Sequence, residues 1–202
     1  MDTFDDFKEY MHIVRDDDLL FILKMRLFIA IQFPNRIKQT LTYIQQNMRD
    51  MGIKGNYTSE ENLHLTLAFI GEYKDPRYVM DVLEGLSFNS FPMELEGFGN
   101  FGDLYWVGIK DGDSLKRCAK QVRHLLADAG IPFDRKRFSP HITVLRKAYY
   151  GHEPDFGLLR IPDEGMWVKS ISLMRSDRGK NGMIYKEIGD ISLEDEKVGN
   201  GF

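Results

Sequence analysis

Two tetrapeptides of one design, His64-Leu65-Thr66-Leu67 and His141-Ile142-Thr143-Val144, hold the residue types in this chain best suited to acid–base work. Histidine has an ordinary pKa of about 6.5, so it can give or take a proton near neutrality. Two histidines facing one substrate can divide the chemistry. A neutral ring takes a proton from water and a protonated ring gives one to a leaving oxygen, each role contributing roughly 10²–10⁴ in rate. The threonine hydroxyls can donate hydrogen bonds to phosphate oxygens, and a strand sets each about 6–7 Å along from its histidine. Charge on a transferring phosphoryl group also calls for a cation, and Arg146, five residues after His141, is the candidate. Five histidines and six threonines in 202 residues give only about 0.15 His-x-Thr matches by chance, so two matches carry information.

Spacing of two is the strand period, which puts the His and Thr of each motif on one face and Leu65, Leu67, Ile142 and Val144 on the other, toward a core. Around these two strands the pattern predicts a buried strand over Arg26–Phe33, ended by Pro34, and a helix carrying Ile37, Leu41, Ile44 and Met48. A loop is expected after Gly52 and Gly55, and a helix over Pro76–Leu86. Met93–Phe101 and Tyr105–Lys110 read as a hairpin about Gly102-Asp103. Asp113 or Ser114 is placed to cap a helix that ends at Gly130. Strands over Val168–Arg175 and Met183–Ile188 flank a turn-rich segment, Ser176–Gly182. The fold class is therefore α+β, in two sheet-plus-helix halves with one His-Thr motif in each. Residues 1–24 read as an N-terminal extension with a short amphipathic helix on Phe4, Phe7, Met11 and Val14, and residues 25–202 as a single domain.

Composition narrows the function classes. A net charge of −4 argues against a broad nucleic-acid-binding surface while leaving room for a local basic pocket. One cysteine, Cys118, allows neither an intramolecular disulfide nor a cysteine metal site; at a core-facing helix position it reads as inert, and the usage fits a reducing cytoplasm. The apolar stretch 19–33 is broken by Lys24 and Arg26 and preceded by acidic residues, so it reads as neither membrane anchor nor export signal. No His-Glu-x-x-His or Cys-x-x-Cys spacing occurs, so no metal is called for. His12, His124 and His152 have no partners in sequence and read as surface residues. Arg135-Lys136-Arg137, just ahead of the second motif, is either a solvated loop or a contact for the phosphates of an anionic substrate. Tyr57, Tyr105, Tyr149 and Tyr150 are open as exposed base-stacking aromatics.

Several segments together resemble the 2H phosphoesterase superfamily, which two His-x-Thr motifs define, and within it the RNA 2′,3′-cyclic phosphodiesterases, formerly grouped as 2′-5′ RNA ligases. Met25–Ile31 is similar to that family's opening strand, Glu61–Leu67 with Phe69-Ile70-Gly71-Glu72 to its first motif region, and Phe138–Val144 with Arg146 to its second. Ser172–Ser176 through Gly182–Tyr185 resembles its closing hairpin, so the likeness spans about residues 25–190 in order. Residues 1–24 have no counterpart, and Gly55-Asn56-Tyr57-Thr58 lacks the tryptophan and basic residue common before the first motif.

The resemblance implies a bilobal fold, two pseudo-symmetric antiparallel sheets with helices packed outside and a central cleft. It implies a monomer that acts without metal or cofactor on RNA ending in a 2′,3′-cyclic phosphate. His64 would protonate the leaving 3′-oxygen and His141 would activate water, leaving a 2′-phosphate, while Thr66 and Thr143 hold the phosphate with Arg146 assisting. The symmetry of the motifs by itself does not say which histidine is acid and which is base. Two alternatives stay open beside this reading: a phosphodiesterase or reversible ligase for another 2′-5′ or small cyclic nucleotide, and a non-catalytic RNA- or nucleotide-binding module.

Overall fold

The computed structural model describes residues 24–110, 112–180 and 182–195. The helix expected on Phe4–Val14 and His12 lie outside these residues. Strand β1 (Met25–Gln32) leads past Pro34 into helix α1 (Asn35–Asp50), whose Ile37, Leu41, Ile44 and Met48 are buried as their spacing predicts. Next come β2 (Lys54–Tyr57), β3 (His64–Tyr73) and α2 (Pro76–Leu83), the last capped by the Asp75 side chain with Pro76 in its first turn. The hairpin β4 (Phe91–Phe101) and β5 (Leu104–Ile109) turns at Gly102, which takes a φ of +64° open to glycine at little cost. Helix α3 (Asp113–Asp128), β6 (His141–Tyr149), β7 (Gly165–Val168), β8 (Ser170–Gly179) and β9 (Gly182–Ser192) complete the order.

The strands form two antiparallel sheets, β3-β1-β8-β9 and β2-β6-β5-β4-β7. Each sheet holds one motif strand, as expected, but the sheets are not contiguous halves of the chain. β2 comes from the N-terminal side and joins the second sheet, while β8 and β9 return from the C-terminal end to close the first. The chain therefore crosses between lobes, and one continuous core, from Leu27 on β1 to Val122 on α3 and Leu173 on β8, serves both. α1 packs toward β6 and α3 toward β3, so each motif strand is backed by a helix.

Four local expectations differ. The chain does not enter a loop directly after Gly55 but stays in strand β2 to Tyr57, because pairing with β6 supplies its backbone partners. Gly55 has φ +147°, and a Cβ there would meet the Lys147 carbonyl at 2.8 Å. The β8–β9 ladder runs on through the turn-rich residues to Gly179 and Gly182, since continuous cross-strand pairing overrides their turn preference. Helix α3 is capped by Gly112 in extended conformation with no side-chain cap, and Asp113 is its first residue. Tyr105 is buried, stacked on Phe98 and Phe156, and is no exposed platform.

Candidate active site

Both motif strands break their alternation at the same place. On β3, Ala30 of β1 pairs with Thr66 and Ile29 with Ala68, so Leu67 is an extra residue. On β6, Trp106 of β5 pairs with Thr143 and Tyr105 with Leu145, so Val144 is extra. These are β-bulges, which re-aim the side chains that follow them. Leu67 with Ala68, and Val144 with Leu145, are all buried, so the face reverses and the fifth residue after each histidine returns to the side of His and Thr. Strict alternation would turn Arg146 to the core; the bulge brings it round to join His141 and Thr143. The equivalent on β3 is Phe69.

The Val144 carbonyl exposed by the bulge accepts from the buried Gln45 side chain of α1 (2.9 Å) and from the Thr58 amide (3.0 Å). Gln45 also donates to the Thr58 carbonyl at 2.7 Å. A buried amide satisfied on both sides fixes the bulge, and periodicity gave no sign of it, because Gln45 lies in the middle of a regular helix. Beyond the bulge, Lys147 takes φ +53°, so β6 stays distorted past Arg146.

The two histidines are held in the same way. His64 Nδ1 donates to the Asn62 carbonyl at 2.7 Å, and His141 Nδ1 donates to the Ser139 carbonyl at 2.7 Å. A carbonyl oxygen can only accept, so Nδ1 carries the proton in both rings and Nε2 is left for substrate. His64 Nε2 lies 3.1 Å from Thr66 Oγ1. Burial, and to a smaller extent the charges of Arg146 and His141, hold the His64 pKa below its ordinary value, against the Asn62 carbonyl, which pulls it up. Those two charges act on His64 across the junction where β3 meets β6. An anion bound between the strands would reverse their effect.

Aromatic rings flank each histidine, and none of these rings was singled out by the sequence. His64 packs against Phe28 (centroids 4.9 Å apart) and Tyr185 (5.1 Å, perpendicular). Asn62 sets this corner: its side chain donates to the Met183 carbonyl at 2.7 Å and accepts from the Tyr185 amide at 3.3 Å, tying the tip of β9 to the turn before β3. His141 meets Phe101 edge-on at 5.4 Å, and Phe101 rests on Trp106, also at 5.4 Å. Trp106 lies across Gly99, where a Cβ would come within 2.4 Å of its ring. Phe101 is 51% exposed beside His141, the kind of open ring that a base can cover.

The remaining candidates disperse. Thr143 sits on the His141 face of β6, opposite Trp106. Tyr57 is half-buried under the Arg49 guanidinium and donates to the Ile53 carbonyl, and Tyr150 is half-buried beside Phe156, whereas Tyr149 is exposed. Arg135, Lys136 and Arg137 are exposed on a loop whose backbone carbonyls at Asp134 and Lys136 are held by Arg123. His124 and His152 are exposed. Cys118 is fully buried, which pushes its thiol up to about 12. Among the described residues no three His, Cys, Asp or Glu side chains gather as a metal site, and no helix is long and apolar enough to cross a membrane.

Comparison with known proteins adds an independent line. Residues 31–105 match the family described as LigT-like phosphoesterase. The chain is 35% identical over 182 residues to the RNA 2′,3′-cyclic phosphodiesterase of Thermotoga maritima, covering 84% of this chain and 96% of that one. To the protein of the same name from Archaeoglobus fulgidus it is 30% identical over 175 residues, covering 81% and 98%. The crystal structure of Escherichia coli LigT in apo form superposes with a TM-score of 0.70 at 25% identity, over 85% of this chain and 98% of that one. With paired His-Thr strands meeting at one junction and relatives matched over nearly their full lengths, the chain belongs to the RNA 2′,3′-cyclic phosphodiesterase family of LigT-like phosphoesterases.

Proposed function

We propose that this protein opens the 2′,3′-cyclic phosphate at the end of an RNA by two-histidine acid–base catalysis without a metal ion, leaving a 2′-phosphate. The observation that carries the reading is the matched pair of rings, each with Nδ1 donated to the carbonyl two residues back and Nε2 directed away from it. In this reading His141 Nε2 takes a proton from water as the water attacks phosphorus. His64 Nε2, protonated, gives its proton to the departing 3′-oxygen as the P–O3′ bond breaks. Thr66 and Thr143 donate to the non-bridging oxygens and Arg146 balances their charge.

The order of roles is the one the family resemblance implies. Burial is the main reason the His64 imidazolium is disfavoured in the free protein, and an anionic cyclic phosphate arriving beside it offsets the smaller part that comes from the Arg146 charge. Substrate binding thereby promotes the protonated state that a general acid needs. Phe101 and Trp106, beside His141, offer an aromatic surface to a base other than that of the terminal nucleoside. The division into an extension, residues 1–24, and one domain, residues 25–202, is part of the same proposal.

The test is turnover of a short RNA ending in a 2′,3′-cyclic phosphate with EDTA present, with the phosphate located in the product. A 2′-phosphate formed by the wild type and lost in His64→Ala and His141→Ala supports the mechanism. A 3′-phosphate product, or activity restored only by added metal, overturns it.

A further inference from the structure

In-line attack fixes which wall of the site the nucleoside meets. Water enters opposite the departing 3′-oxygen, so the ribose that carries this oxygen lies on the side of its acid, His64. This step rests on the function proposed above. The wall beside His64 is the open face of the first sheet, and it carries a polar group that the phosphate chemistry does not use. Gln32 is the ladder partner of His64 on β1, Ser172 is the partner of Ala30 on β8, and Glu187 follows Tyr185 on the same face of β9.

The three side chains are bonded to one another. Gln32 Nε2 donates to Ser172 Oγ at 3.1 Å and also to Glu187 Oε2, and Ser172 Oγ donates to the same Glu187 oxygen at 2.8 Å. Ser172 is 3% exposed, so the base of the cluster is fixed, while Glu187 is exposed. Glu187 Oε2 is saturated by two donors. Glu187 Oε1 and Gln32 Oε1 accept no hydrogen bond from the described residues. What the cluster offers outward is two acceptors and no donor. Neighbouring strands lie about 4.8 Å apart, so a carboxylate bonded to Gln32 is roughly one or two strand spacings, about 5–10 Å, from His64. A nucleoside held at His64 by its phosphate spans a comparable distance to its base edge.

We propose that Glu187, held by Gln32 and Ser172, reads the terminal base and selects those that present an exocyclic amino group. Adenine N6, cytosine N4 and guanine N2 each carry two N–H donors that fit two acceptors. Uracil presents one N–H between two carbonyl oxygens, and those oxygens face the carboxylate unfavourably. The site thus accepts A, C and G ends and disfavours U ends.

The experiment uses four RNAs identical except for a 3′-terminal A, C, G or U, each ending in a 2′,3′-cyclic phosphate. The expected kcat/KM for the U-ended RNA is about tenfold below the other three, the size of one well-placed base contact. Glu187→Gln replaces an acceptor with an amide that can donate to a uracil carbonyl, and should bring the four to within about threefold. Wild-type turnover of all four within twofold overturns the proposal, as does a Glu187→Gln variant that slows all four by one common factor. If Glu187→Gln does not fold, judged by its melting curve, Ser172→Ala tests the same point and should narrow the preference. Direct binding of 2′-CMP and 2′-UMP separates this proposal from the catalytic one. Absence of turnover on every RNA overturns the proposed function, while tighter binding of 2′-CMP still supports base reading and equal binding refutes it.

Discussion

Gly99→Ala is the sharpest test of how the second motif is positioned. An alanine Cβ at this site would stand 2.4 and 2.6 Å from two carbons of the Trp106 ring. Carbon atoms pack at about 3.5–4.0 Å, so the indole must move by about 1 Å or more. Nowhere is convenient. Gly99 is its ladder partner on one side, Thr143 is its partner on the other, and Phe101 bridges from the indole to His141. Overpacking of this kind costs about 1–3 kcal/mol, and a domain of this size loses roughly 2–4 °C of Tm per kcal/mol. The expected melting point is therefore roughly 2–12 °C below wild type. A shift of about 1 Å in a positioned wall can also lower kcat/KM by about a hundredfold. Thermal melts read by circular dichroism, together with cyclic-phosphate turnover, measure both effects. Gly151→Ala, where a Cβ meets nothing within 4 Å, is the control. Trp106→Leu in the Gly99→Ala background removes the clash, and the pair should be less destabilised than the sum of its parts by about 0.5–3 kcal/mol. Gly99→Ala melting within 1 °C of wild type, or strict additivity of the pair, would refute the claim that this glycine exists to seat Trp106.

Further outcomes follow from the same geometry. His64→Ala and His141→Ala should each lower kcat by about 10²–10⁴, and the double variant should fall short of the product of the two losses, because the roles act as a unit. Arg146→Gln removes a charge that depresses the His64 pKa, so the His64 titration followed by NMR should move to higher pH, and a downward move would contradict the assignment. Because the folded pKa of His64 is lowered, the unfolded chain binds the extra proton first. Its contribution is present above about pH 6.5 and is lost as pH falls toward the folded value, so Tm should drop on acidification and less so in His64→Ala. Gln45→Leu strips the Val144 carbonyl of a buried donor, at about 1–3 kcal/mol by chemical denaturation, and should raise KM by disturbing the bulge that aims Arg146. Cys118 should stay unreactive toward a thiol reagent in the native protein and react on unfolding.

Local pattern made the elements readable. Leu65, Leu67, Ile142 and Val144 point inward as the period of two requires, α1 buries its every-third-or-fourth apolar residues, and the His-x-Thr spacing placed each histidine with its threonine. These are properties of a few consecutive residues, and a strand or helix expresses them wherever it packs. That the two motifs serve one chemistry is an expectation from residue type, spacing and the family resemblance, and it carries over into the proposed mechanism.

What the sequence did not contain is anything that depends on a partner far away along the chain. The exchange of β2, β8 and β9 between sheets is decided by which ladders close the edges, not by any local preference. The bulges at Leu67 and Val144 exist only relative to β1 and β5, and no periodicity in β3 or β6 announces them. Yet the second bulge is what turns Arg146 to the histidine face. Phe28, Tyr185, Phe101 and Trp106 likewise look like ordinary strand aromatics until pairing sets them beside His64 and His141. Tyr105, one residue from Trp106, falls on the opposite face and into the core. The sequence by itself determined which atoms could do the chemistry; the hydrogen-bonded register between distant strands decided where those atoms stand, because a shift of one residue in a ladder moves a side chain from one face of a sheet to the other.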